Sequence, residues 1–217
     1  KRLVSGWGVP ESRIHVVYNA FKGAPSALSR DAARSKYGLR GTVIVSAGRL
    51  VPWKGFATLI TVMPDIVRAH PDAILCIAGD GEEREALELH IQALGLGAHV
   101  RLLGRRPHAD VLEYLRAADL FVLNTGYEGF SHQILEALAL GAPVITTAIG
   151  GNPEIIRDGE NGLLVNYEDR EALKKAMTRL LGDDALRAGF MNKGPETARH
   201  FTEERMLSEL EALLKKI

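Results

Sequence analysis

Six short apolar runs constrain this chain more than any other feature. They lie at 42–47, 73–78, 99–103, 119–123, 143–147 and 162–165, and a stretch with helical spacing follows each one. Runs such as Val43-Ile44-Val45 and Leu120-Phe121-Val122-Leu123 are continuous rather than alternating. A strand written that way is covered on both faces, which is the condition of a parallel sheet held between helices. The spacing predicts helices over 29–38, 54–69, 82–94, 108–117, 131–140, 153–157, 169–182, 184–199 and 202–216. It also predicts a strand over Ile14-His15-Val16-Val17-Tyr18, after a helix end and turn in 1–12. Strand–helix alternation over such a span argues an α/β fold, a doubly wound Rossmann-like parallel sheet with helices on both faces.

Ligands of such sheets occupy the crevice beyond the carboxyl ends of the strands. Five loops leave strands at that edge, at 48–55, 79–84, 104–107, 124–131 and 148–154. Charge narrows what they could bind. The 27 Lys and Arg balance 27 Asp and Glu, so there is no electrostatic case for a nucleic-acid partner. The single cysteine, Cys76, sits inside an apolar run and reads as core. With no disulfide framework and no metal-binding Cys/His cluster, a reducing, cytoplasmic setting is expected. No apolar run reaches the roughly 18 residues of a membrane span, and no secretory signal pattern is present.

The loop at 124–131 carries the richest chemistry. Glu128 and Glu136 have seven residues between them, an E-x7-E pattern. On one continuous helix they would stand about 12 Å apart and roughly 80° around the axis, too far for one acid/base pair but suited to gripping two parts of a long ligand. The more natural reading puts Glu128 in the loop and Glu136 on the second turn of the helix. Phe130, Ser131, His132 and Gln133 then form the open helix N-terminus, which favours an anion. Glu136-Ala137 leads on to Gly141-Ala142-Pro143, a helix stop.

The other loops divide. Arg49 and Lys54, framed by Gly48 and Gly55, suit a diphosphate as a planar fork and a flexible ammonium; as two solvated surface cations they would mean nothing, and the anion-ready helix at 131 tips the balance toward phosphate. Gly79-Asp80-Gly81 lacks the third glycine of a dinucleotide fingerprint and runs into Glu82-Glu83, so it reads as a structural turn. Gly104, Arg105 and Arg106 precede a helix and are either solvated or the wall of a nucleobase site. Gly150-Gly151 permits a close backbone approach, to a ligand or to the protein itself. His132 could serve as an acid/base, although lining a polar pocket is the commoner role of such a histidine.

The ordered set of loops resembles the C-terminal, donor-binding domain of the family-four retaining glycosyltransferases, which have two facing Rossmann-like domains (the GT-B architecture). The residues that carry the resemblance are Gly48-Arg49-Leu50 with Lys54-Gly55, Ile77-Ala78-Gly79-Asp80-Gly81, Leu103-Gly104, Glu128-Gly129-Phe130 with Leu135-Glu136-Ala137, Gly141-Ala142-Pro143-Val144, and Gly150-Gly151 with Pro153-Glu154-Ile155-Ile156 and Asn161-Gly162. The resemblance implies a hexosyltransferase whose donor is a nucleoside-diphosphate sugar of UDP, GDP or ADP type. It assigns the diphosphate to Arg49 and Lys54, sugar hydroxyls to Glu128 and the ribose to Glu136. It gives backbone near Phe130, Ser131, His132 and Gln133 to sugar and phosphate, and backbone near Gly104 and Arg105 to the base. Arg49, Lys54 and Glu128 would carry catalysis, with no metal ion and no other cofactor.

The resemblance further implies that 1–217 is one half of the enzyme, with 1–20 beside the hinge and 202–217 as the C-terminal helix. The acceptor domain would precede it, the chain alone would transfer little or nothing, and a membrane-peripheral acceptor is compatible with the full-length protein. The stripe Met206, Leu210, Leu213, Leu214 and Ile217 would pack either on its own domain or on that absent half. Ser131 stands where a glycine is frequent, Asn124-Thr125-Gly126-Tyr127 replaces a common Pro-Ser start, and Asn19-Ala20 replaces Asn-Gly. The alternatives are half of a nucleotide-sugar epimerase or related phosphorylase, and a non-catalytic nucleotide-binding module.

Overall fold

The computed structural model of the chain describes residues 2–21 and 28–215. The chain opens with α1 (Arg2–Ser5) and a 3-10 turn at Glu11–Arg13; residues 14–20 have no regular secondary structure, and α2 is Arg30–Lys36. Thereafter the elements alternate: β1 (Val43–Ala47), a 3-10 turn (Pro52–Lys54), α3 (Phe56–Ala69), β2 (Ile74–Ala78), α4 (Arg84–Ala93), β3 (Val100–Gly104) and α5 (His108–Ala117). β4 (Leu120–Leu123), α6 (His132–Ala139), β5 (Val144–Thr147), α7 (Asn152–Ile155) and β6 (Leu163–Val165) continue the pattern, and α8 (Arg170–Gly182), α9 (Asp184–Ala198) and α10 (Glu203–Leu214) close it.

All six strands pair in parallel, in the order β3-β2-β1-β4-β5-β6. The doubly wound reading therefore holds, and the order reverses direction between β1 and β4. Alternate residues of each strand feed two separate cores. Val43, Val45, Cys76, Phe121 and Leu123 point to the face covered by α2, α5, α6 and α7. Ile44, Leu75, Ile77, Leu120 and Val122 point to the face covered by α3, α4 and α8. Every one of these strand residues is fully or almost fully buried, which is why the sequence shows no polar alternation.

The amino-terminal edge of the sheet is fastened by one carboxylate. Asp119, just ahead of β4, accepts from Arg34 Nη2 at 2.6 Å and from the Val43 N–H at 2.7 Å, and it pairs with Arg30. It thus ties α2 to the starts of β1 and β4 together. The loops that leave the strands gather at the opposite, carboxyl edge of the sheet.

The predicted strand over 14–18 is not one. Residues 14–20 have no regular secondary structure and lie outside the sheet. Only Ile14 of Ile14–Tyr18 is buried, and the nearest bridge is an isolated one between Phe21 and Thr202. β-Branched residues favour extended backbone, but a strand also needs a neighbour with free ladder groups, and none of the six strands pairs with residues 14–20. α10 carries no buried residue: Leu207, Leu210 and Leu214 are exposed, while Met206 and Leu213 are half-buried. Ile217, the end of the predicted stripe, and Lys1 lie outside the described residues. Among the described residues no helix is long and apolar enough to cross a membrane.

Candidate functional site

Where a doubly wound sheet reverses its order, the loops leaving the two flanking strands diverge to opposite faces and open a crevice. Here those loops are 48–55 after β1 and 124–131 after β4. The chain uses them to bring Lys54 and Glu128 together: Lys54 Nζ lies 2.8 Å from Glu128 Oε2, and each side chain is only about one-sixth exposed, 16% and 17%. The Gly126 N–H donates to the Trp53 carbonyl at 2.7 Å, and Thr125 Oγ1 donates to the same oxygen at 3.2 Å. The two loops are therefore joined by backbone as well as by charge.

Arg49 lies at the start of the same loop, and the stem of Lys54 passes beside Gly48. The Arg49 guanidinium lies 5.7 Å from the Trp53 ring centroid, and Arg49 lines a cleft of about 310 Å³ together with Gly48, Asp80, Arg105, Arg106 and Gln133. That cleft sits past the ends of β1, β2 and β3. Three arginines and one carboxylate line it, so it presents net positive charge to an anionic ligand. Arg106 is anchored by donating from Nε to the Leu103 carbonyl at 3.1 Å. Gly79 and Gly81, by contrast, are needed where they stand because a Cβ on either would strike the backbone of Gly48 or Leu50. The turn reading of that loop is the one the packing explains. Arg84 pairs with Glu88 at 3.0 Å and with Asp80 at 3.9 Å rather than extending alone into the cleft.

Glu128 and Glu136 fall as the spacing predicts, the first in the loop and the second on the second turn of α6. Ser131 is the N-cap and is buried, its Oγ accepting from the Ile134 N–H at 3.4 Å. His132 and Gln133 begin the open first turn beyond it, with His132 exposed. Glu136 is mostly buried and accepts a hydrogen bond from His108, Nε2 to Oε1 at 2.7 Å.

The loop bearing Glu128 is braced from behind. Gly150 has a left-handed backbone, φ +57°, and a Cβ there would fall 1.6 Å from the Glu128 carbonyl oxygen. The Gly151 N–H then donates to the Gly129 carbonyl at 2.8 Å. Packing against the Glu128 loop is enough to require a glycine at both positions. Phe130 is held by rings: Tyr18 lies 5.2 Å away and Phe201 5.3 Å away, centroid to centroid. The Tyr18 hydroxyl bonds the Glu154 carboxylate, which with burial raises its pKa above that of a free phenol.

Sequence reasoning passed over His108, Trp53 and Tyr18. The loop after β3 was read as ending at Pro107, one residue short of His108, and no local signal pairs that histidine with a glutamate 28 residues on. Trp53 stood between two noted cations and could have been found from the affinity of guanidinium for aromatic faces. Of the two cations after β1, Lys54 is paired with Glu128 and Arg49 lines the cleft beside Trp53.

The family described as Glycosyl transferases group 1 matches residues 29–197. The chain is 35% identical over 192 residues to the lipopolysaccharide core biosynthesis glycosyltransferase LpsE of Rhizobium meliloti, covering 88% of this chain and 54% of that protein. Among solved structures, Anabaena Alr3699/HepE in complex with UDP has a TM-score of 0.88 at 25% identity, over 98% of this chain and 60% of that one. The C-terminal domain of a glycosyl transferase group 1 family protein, LpcC, from Francisella tularensis has a TM-score of 0.72 at 25% identity and covers 85% of this chain and 95% of that one. The chain thus spans about half the length of LpsE and nearly all of a separately solved C-terminal domain.

Proposed function

Because the chain belongs to the glycosyl transferases group 1 family, we propose that it is the donor-binding half of a retaining glycosyltransferase, taking a nucleoside-diphosphate sugar. The observation that carries the reading is the Lys54–Glu128 pair at the reversal of the sheet, with the cationic cleft lined by Gln133 and Glu136 one turn beyond Gln133 on α6. A ligand laid across these groups meets the cleft with its nucleoside, Glu136 with its ribose, Lys54 and Arg49 with its diphosphate and Glu128 with its sugar hydroxyls. UDP bound to HepE supports the nucleotide class without fixing the base.

In the transfer, the bond from the sugar C1 to the diphosphate oxygen breaks and its electron pair stays on the diphosphate. Arg49 and Lys54 take up the charge that develops there, the part a divalent ion plays in other transferases. The acceptor hydroxyl oxygen bonds C1 on the face the diphosphate left, and its proton passes to the departing diphosphate oxygen, which has just taken the electron pair. Glu128 orients the sugar. Acceptor binding falls, in this reading, to a further domain, in keeping with relatives about twice as long.

Calorimetry of the chain with UDP, GDP and ADP, and with sugars of whichever binds, is the test. One of the three should bind, and Lys54→Ala should weaken it by about 10- to 100-fold, the range of a lost charge-assisted contact. Failure of all three to bind, or a Lys54→Ala variant that binds as the native chain does, overturns the reading.

A further inference from the structure

The carboxylate assigned above to the ribose is already held by a neighbour. Glu136 is 12% exposed, and among the described residues its carboxylate has one side-chain partner, His108 Nε2 at 2.7 Å. A carboxylate only accepts, so the imidazole Nε2 must carry the proton. One Oε1 lone pair is thereby used, and about three of the four acceptor positions of the carboxylate remain for a ligand, enough for both hydroxyls of a vicinal diol.

The position of the pair fits this use. His108 is the first residue of α5, two residues after Arg106, and Gln133 stands one turn before Glu136 on α6. Arg105, Arg106 and Gln133 all line the cationic cleft. Residues three apart on a helix share a face, so Glu136 stands beside the cleft wall that Gln133 forms, and His108 reaches it from the start of α5, just after Arg105 and Arg106. His108 itself is 61% exposed, and a pair with one partner so open adds little to folding. Its use lies in fixing which way the Glu136 oxygens point.

We propose that His108 is a positioning residue for recognition of the ribose 2′- and 3′-hydroxyls, acting through Glu136 by its Nε2–H donor. The proposal rests on the reading of Glu136 as the ribose acceptor. A residue that only stabilised the fold would weaken every nucleotide alike. A residue that orients the diol acceptor changes the ratio between a ribonucleotide and its deoxy counterpart.

The experiment measures, by calorimetry on the purified chain, affinity for UDP against 2′-deoxy-UDP, and likewise for GDP and ADP pairs where these bind. The native chain should prefer the ribonucleotide by roughly tenfold, the worth of a hydroxyl donated to a charged acceptor. Glu136→Ala should abolish the preference. His108→Leu should cut it about three- to tenfold, His108→Gln, which keeps an N–H donor, should restore most of it, and His108→Leu should add nothing in the Glu136→Ala background. An unchanged ratio in His108→Leu beside a collapsed one in Glu136→Ala overturns the proposal and leaves the donor-site reading standing. A further loss from His108→Leu without Glu136 also overturns it, since the histidine would then touch the nucleotide directly. A ratio indifferent to Glu136→Ala overturns the proposal together with the ribose assignment beneath it.

Discussion

The Lys54–Glu128 pair should behave as one physical unit, and its energy can be bounded from its geometry. At 2.8 Å and an effective dielectric near 20, the gross attraction is about 6 kcal/mol. Desolvation of the two ions removes several kcal/mol of that. Exposed pairs are worth about 0.2–1 kcal/mol, whereas removing one partner of a fully buried pair costs about 3–5 kcal/mol. With each side chain about one-sixth exposed, the single substitutions Lys54→Ala and Glu128→Ala should each cost about 2 kcal/mol, most of it from stranding the remaining charge. The double variant should cost about 2 kcal/mol as well, which is a coupling of the same size and within the range for residues in contact. Urea unfolding monitored by circular dichroism reads all three, and each single variant should melt about 4–8 °C below the native chain. A double variant whose loss equals the sum of the singles, to within about 0.5 kcal/mol, would refute the argument. The pair also sets a ligand expectation: Glu128→Gln removes a negative charge beside Lys54, so UDP alone should bind several-fold more tightly, while a UDP-sugar, deprived of the carboxylate at its hydroxyls, should not gain.

Three further outcomes follow from the geometry. Asp119→Ala strips the acceptor from Arg34, Arg30 and the Val43 N–H together, so it should cost about 2–3 kcal/mol in urea, with Asp119→Asn losing less. Gly150→Ala should cost about 2 kcal/mol or more, since it adds left-handed strain to a Cβ set 1.6 Å from the Glu128 carbonyl; Gly159→Ala, left-handed at φ +77° with nothing within 4 Å, should cost only the strain, about 1 kcal/mol. Burial pushes the Cys76 thiol from its ordinary value of 9.0 up to about 11, so the unfolded chain releases that proton first. Stability is then full below pH 9 and falls as pH rises toward 11; urea midpoints measured across that window should drop less steeply in Cys76→Ala, and the native thiol should resist alkylation at pH 8 until the chain unfolds.

What could be read in the chain and what could not divide along a physical line. Strands β1, β2, β4 and β5 were legible because burial on both faces leaves a continuous apolar signal that no surface element imitates. Glu128 and Glu136 were separable from spacing alone, since a helix fixes where an eight-residue step must lead. The segment 14–18 shows where local preference stops: Val16 and Val17 favour extended backbone, but pairing is decided by whichever edge is free, which is a property of the whole sheet. Its hold on the domain comes instead from side chains, buried Ile14 and Tyr18, the latter through two rings and a carboxylate. The site repeats this at closer range. That Lys54 should meet Glu128 follows from the strand order β1-β4, because only at the reversal do two loops from strands adjacent in the sheet and distant in sequence face one crevice. That His108 should meet Glu136 does not follow even from strand order; it depends on how α5 and α6 lie side by side on one face. Residue types on loops could therefore be read from the sequence, whereas the partners that aim them had to wait for the packing of helices.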